Sequence, residues 1–239
     1  MFHHHPVNID IAGTVQSISN ITKEDLYTCY NTFYHPSNMT LFVIGNFDPD
    51  SVFHVIQQNQ AKKQFQKAKE IVRYLPEEPR NVFRKEHTIH LPVSIPKVSF
   101  GIKEASERLT KDEFLKREVI QSMLLDYFFS ESGSFYETLY EEELIDDTFT
   151  FSTTVESSFS FSLISSNTNK PEQFTERVKE LLLSTKDMTI SEKQFELMKK
   201  KRIGQTLRSM NSLDYIAISY VQYNYEDIDL FEKNTFIQS

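Results

Sequence analysis

The chain has 239 residues, 39% hydrophobic and 13% aromatic, with a formal net charge of -8. That is enough apolar mass for a packed core. An acidic balance without a basic stripe argues against nucleic acid or an anionic membrane as partner. A single cysteine, Cys29, rules out an internal disulfide framework. No apolar run reaches the roughly 18 residues that a membrane span needs. Met1 to Pro6 lacks the charged and apolar regions of a secretory leader, so the expected compartment is cytoplasmic.

In chain order, Thr22 is a helix cap, and Lys23, Glu24 and Asp25 fill the first turn behind it. Leu26, Tyr30 and Phe33 give that helix one apolar face, and Pro36 stops it near Tyr34 or His35. Met39 to Ile44 is nearly all apolar, which predicts a strand covered on both faces and ended by Gly45-Asn46. Asp48-Pro49-Asp50 opens another helix, with Val52, Phe53, Ile56 and Phe65 as its apolar positions. Pro76, Pro79, Pro92 and Pro96 punctuate a linker, in which Thr88 to Val93 adds a short edge strand. A strand follows from Val98 to Glu104, where Gly101 marks a bulge or a close backbone approach. Further on come a long helix over about 110–130, a break at Gly133, and a shorter helix over 135–145. Thr148 to Val155 and Phe159 to Ser166 alternate as a hairpin around Glu156-Ser157-Ser158. Pro171 starts a helix to Leu183, Ser191 caps a Lys-rich helix to about Met210, and Ser212 begins another to about Tyr223. This order predicts an α+β fold with helices packed on one face of an antiparallel or mixed sheet.

The run Ile21 to Phe47, ITKEDLYTCYNTFYHPSNMTLFVIGNF, resembles the late part of the repeat in the insulinase-like zinc peptidases, the M16 or pitrilysin family. His5-Pro6, Asp10 to Thr14 and Ser17-Ile18 resemble the residues that lead into it. The similarity points to a bacterial cytoplasmic subgroup and extends, at lower specificity, through Pro96-Lys97, Gly101 to Lys103, Tyr136 to Phe149 and Ser209 to Leu230. It implies that residues 1–75 are the C-terminal part of one repeat, 76–96 a linker, and 97–239 the N-terminal part of the next. The two half-repeats are expected to pack as one composite domain or to complete each other across a dimer.

Catalysis in that family needs His-x-x-Glu-His and a glutamate about 70 residues on, which hold zinc with one position open for water. The seven histidines here are His3, His4, His5, His35, His54, His87 and His90, and none lies in such a motif. No catalytic and no metal-binding residue is therefore assigned, substrate-binding residues are unknown, and the chain is expected to be inactive alone. The function implied is a non-catalytic portion of an M16-type zinc metallopeptidase, with zinc and proteolysis belonging to the complete protein. The alternative is a stand-alone peptide-binding module that partners a zinc-bearing homologue. Expected partners are peptides, a homologous M16 subunit or a second copy, without nucleic acid or membrane.

Other chemistry-bearing residues favour ordinary structural roles. His3 to His5 reads as a surface run, and His87 and His90 fall on opposite faces of any strand. Glu141 to Glu143 with Asp146 and Asp147 reads as a solvated helix end and turn. Many active relatives carry an Arg and a Tyr, seven apart, in the segment matching Leu139 to Phe149. The arginine position here is Leu139 or Tyr140 and the tyrosine position Asp146 or Asp147, so the pair is missing. Cys29 reads as an inert core thiol, and Lys199 to Arg202 as a solvated basic face.

Overall fold

Three helix starts follow the capping rules closely. Thr22, Thr110 and Ser191 each cap a helix, with Asp25, Glu113 and Gln194 closing the reciprocal bond three residues on. The computed structural model describes residues 1–68, 70–104, 109–231 and 233. Its first unit holds α1 (Val15–Ser19), α2 (Lys23–Phe33) and α3 (Pro49–Ala61). Next come β1 (Lys97–Lys103), α4 (Lys111–Phe129), α5 (Ser134–Glu141), β2 (Thr150–Val155) and β3 (Ser160–Asn167). The helices α6 (Pro171–Ser184), α7 (Glu192–Ser209) and α8 (Leu213–Asn224) follow, and short 3-10 turns lie at Pro6–Asn8, Pro36–Asn38 and Thr185–Asp187.

The strands form one antiparallel sheet in the order β1-β3-β2. Phe100 and Phe151 both stand opposite Ile164, which puts all three on one face. On that face Val98, Phe100, Ile102, Phe151 and Ile164 meet Leu125, Phe128, Phe129, Phe135, Leu139, Phe174, Val178 and Leu181 from α4, α5 and α6. The prediction of helices layered on one face of a sheet holds. Gly133 lets α5 turn back tightly, because a Cβ there would lie 2.4 Å from the Phe128 carbonyl oxygen. Phe129 is 1% exposed. Phe129→Ala should destabilise the chain by about 3–5 kcal/mol through lost burial and the cavity left behind, measurable by urea unfolding.

β3 does not bury its phenylalanines against the helices. Its fully buried positions are Ser160, Ser162, Ile164 and Ser166. The polar ones are satisfied in place: Thr153 Oγ1 donates to Gln121 Oε1 at 2.8 Å, and Ser162 Oγ donates to Thr153 Oγ1 at 3.2 Å. Phe161 and Leu163 face the other way. There Phe2 packs on Phe159 and Phe161, with ring centroids 5.9 and 6.1 Å apart. The Met1 sulfur lies 2.9 Å from where a Cβ on Gly101 would stand. The close approach expected at Gly101 is therefore real, and the ladder through it is regular, without a bulge.

Two predicted strands are absent. Met39 to Ile44 is extended but unpaired, with Leu41 67% exposed, instead of a strand covered on both faces. An apolar run takes strand form only where neighbouring strands offer ladder partners, and no described strand lies beside this one. Phe42 in this run stacks on Tyr220 of α8, with ring centroids 4.6 Å apart. The two units therefore do not merge into one composite sheet among the described residues. Thr88 to Val93 also forms no ladder. Phe65 lies beyond the end of α3, and Cys29 is exposed, contrary to the expected inert core position. Residues 234–239, the end of the second predicted unit, lie outside the described residues.

Candidate functional site

The three leading histidines serve an internal clip. Glu78 Oε1 accepts the His3 backbone N–H at 2.7 Å, and Oε2 accepts those of His4 and His5 at 2.7 and 2.8 Å. Lys103 Nζ donates to Glu78 Oε1 and to the Pro79 carbonyl, both at 2.6 Å, and to the Asn81 carbonyl at 3.1 Å. Its three N–H groups are thus all engaged. Both side chains are 1% exposed. Burial works to raise the Glu78 carboxyl, but Lys103 and the three N–H donors outweigh it and hold it at about 2.

The imidazoles themselves diverge. His3 turns to the Asn81 carbonyl and the edge of Phe83. His5 is buried beside Phe159; its Nδ1 accepts the Val7 N–H at 3.1 Å, which leaves Nε2 to donate to Ser158 Oγ at 3.2 Å. Burial lowers its pKa although the Glu78 charge opposes this. His87 and His90 are exposed, and His87 lines a shallow hollow with Met1 and Phe83. Among the described residues no three His, Cys, Asp or Glu side chains gather to hold a metal ion.

The acidic cluster is consumed locally. Glu142 pairs with Arg177 at 2.8 Å, and Glu143 takes a left-handed turn at φ 54°. Asp146 accepts the Thr148 hydroxyl and backbone N–H and the Ser166 hydroxyl, and these bonds lower its pKa against the raising effect of burial. Leu139 is fully buried core, while Tyr140 is exposed and stacks on Tyr136. Neither can replace a guanidinium.

The basic run on α7 departs from the sequence expectation. Lys201 reaches across to Asp126 at 2.5 Å, and Lys199 pairs with Glu196. Arg202 turns inward. It lines a cleft of about 350 Å³ between α4, α7 and β2, with Glu118, Ser122, Met123, Leu125, Asp126, Phe151, Thr153 and Met198 around it. Successive strand side chains alternate faces, so a cleft touching Phe151, Ser152 and Thr153 in sequence reaches the open edge of β2. Glu118 accepts the Tyr223 hydroxyl at 2.7 Å and Lys233 Nζ at 2.8 Å. Burial, reinforced by the Glu118 charge and hydrogen bond, raises the Tyr223 phenol, while burial lowers the Lys233 ammonium against Glu118. A sequence signal for Arg202 exists: it follows Met198 by four, on the helix face that Met198 and Ile203 pack against Val119 and Met123.

This donor set does not fit zinc. The cleft holds no histidine and no thiolate, both its carboxylates are already paired with cations, and a guanidinium shares its lining.

The family follows from comparison with known proteins. The family profile described as the peptidase M16 inactive domain matches residues 20–202. The zinc protease YmfH of Bacillus subtilis is 42% identical over 238 residues, which is 100% of this chain and 55% of that protein. The crystal structure of an M16-like peptidase from Alicyclobacillus acidocaldarius superposes with a TM-score of 0.92 at 37% identity, covering 100% of this chain and 57% of that one. A protease from Helicobacter pylori shares the fold, with a TM-score of 0.76 at 19% identity over 95% of this chain and 54% of that one. The chain thus spans little more than half the length of the relatives it matches. It belongs to the M16 peptidase family, of which it represents a non-catalytic portion matched by the inactive domain.

Proposed function

We propose that this chain forms half of the peptide-enclosing chamber, together with the inter-repeat linker, of an M16-type zinc protease whose hydrolytic centre lies on other residues. In this reading residues 1–75 close one repeat, 76–96 link, and 97–239 open the next. The observation that carries it is the match of the inactive-domain profile to residues 20–202, in a sequence whose seven histidines form no His-x-x-Glu-His. Without a metal-activated water no peptide bond is opened here.

A cytoplasmic location and pairing with a homologous subunit or a second copy accompany this proposal. Among the described residues no helix is long and apolar enough to cross a membrane. The alternative of an independent peptide-binding module is not favoured, because similarity to the longer zinc proteases extends over the whole chain.

The isolated chain, supplied with zinc, is expected to show no hydrolysis of unstructured peptides and no stoichiometric zinc by elemental analysis. Chelator-sensitive cleavage that co-purifies with the chain would overturn the proposal.

A further inference from the structure

Among the described residues, Arg202 is the charged group of the cleft with no hydrogen bond or ion pair. Asp126 is taken by Lys201, and Glu118 by Lys233 and Tyr223. The Arg202 Nε is shut away from solvent and donates to no described atom. A buried donor without an acceptor is rare in folded proteins, and each instance calls for an explanation.

We infer that this cleft is a carboxylate-binding site, with Arg202 as the residue that holds the anion. A guanidinium presents a planar fork matched to the two oxygens of a carboxylate. The walls supply the remainder of the recognition. Met123, Leu125, Phe151 and Met198 offer an apolar lining for the methylene part of an acid, and about 350 Å³ admits a short dicarboxylate or one acidic side chain with its flanking backbone. Phosphate is the poorer match, because a dianion asks for a second cation and both neighbouring lysines already face carboxylates. The inference rests on the cleft and on the Arg202 guanidinium in its wall, and does not require the chamber reading.

The test follows the Arg202 Nε–H resonance of the intact, isotope-labelled chain during titration. The probes are glutarate, the capped peptide Ala-Glu-Ala, its Ala-Gln-Ala counterpart, and inorganic phosphate. A saturable shift is expected with a carboxylate, at least tenfold weaker with the glutamine peptide and with phosphate. Glutarate alone acting identifies a free small acid as the ligand; the glutamate peptide alone acting identifies an acidic side chain of a polypeptide. Calorimetry should show at least a tenfold loss of affinity in Arg202→Gln. A like loss is expected in Ser122→Phe, which fills the cleft and keeps the guanidinium. Circular dichroism of both variants should match the parent. No shift with either carboxylate, tighter binding of phosphate, or unchanged affinity in a folded Arg202→Gln would each overturn the inference.

Discussion

Glu78→Ala is expected to lower stability by about 3–5 kcal/mol, the range for removing one partner of a buried ion pair. The loss has two parts. Lys103 is left charged and 1% exposed without its carboxylate, and the backbone N–H groups of His3, His4 and His5 lose their acceptor together. At roughly 2–4 °C per kcal/mol for a chain of this size, the midpoint should fall by about 6–20 °C in a thermal scan. A shift below about 2 °C would show that the clip contributes little. The same residue sets an acid limit. Its carboxyl stands at about 2 in the folded chain against an ordinary 4.5, so the unfolded chain binds the proton first as pH falls. The stabilisation is complete above pH 4.5 and fades as pH drops towards 2. Glu78→Gln should remove that portion of the acid dependence, and urea midpoints measured from pH 5 to pH 2 would show it.

Amide exchange should divide the chain sharply. The helices α1, α2 and α3 bury no residue, whereas α4 buries seven and α6 buries Phe174, Val178 and Leu181. Helices of 5, 11 and 13 residues without tertiary cover are marginal in water, because nucleation is costly and packing supplies most helix stability. In the isolated chain their amides should exchange within about tenfold of unstructured rates. Those of α4, α6 and β3 should be slower by three orders of magnitude or more. Equal protection across both units would mean that the exposed apolar residues of the first unit are covered in solution. Leu26, Tyr30, Phe33, Leu41 and Phe53 are the ones to watch.

Local chemistry was legible in the residues themselves. Thr22 and Ser191 announced two helix starts, and Pro171 a third, because caps and a first-turn proline act on their own few neighbours. The hairpin was legible from alternation, and the absence of a zinc motif from the histidine spacing. What escaped depends on distant partners. Met39 to Ile44 has a strand's composition but no described ladder to join. Glu78 sits in a Pro-broken stretch without periodicity, and its acceptor role is set by a turn 73 to 75 residues away. Arg202 looked like one of four solvated cations because charge runs are usually exposed, and only its register with Met198 turns it towards the cleft.

Phe2 and His5 lie against a hairpin on the far side of the sequence, with His5 and Ser158 separated by 153 positions. Closing so long a loop is entropically slow compared with zipping a hairpin or a helix. The sheet and its helical layer can therefore assemble from nearby pieces, while the seal over Phe159, Phe161 and Leu163 must come last. During synthesis these side chains would stay wet until residues 1–5, made well before them, return to cap them. A substitution at Phe2 or His5 would act on that final step.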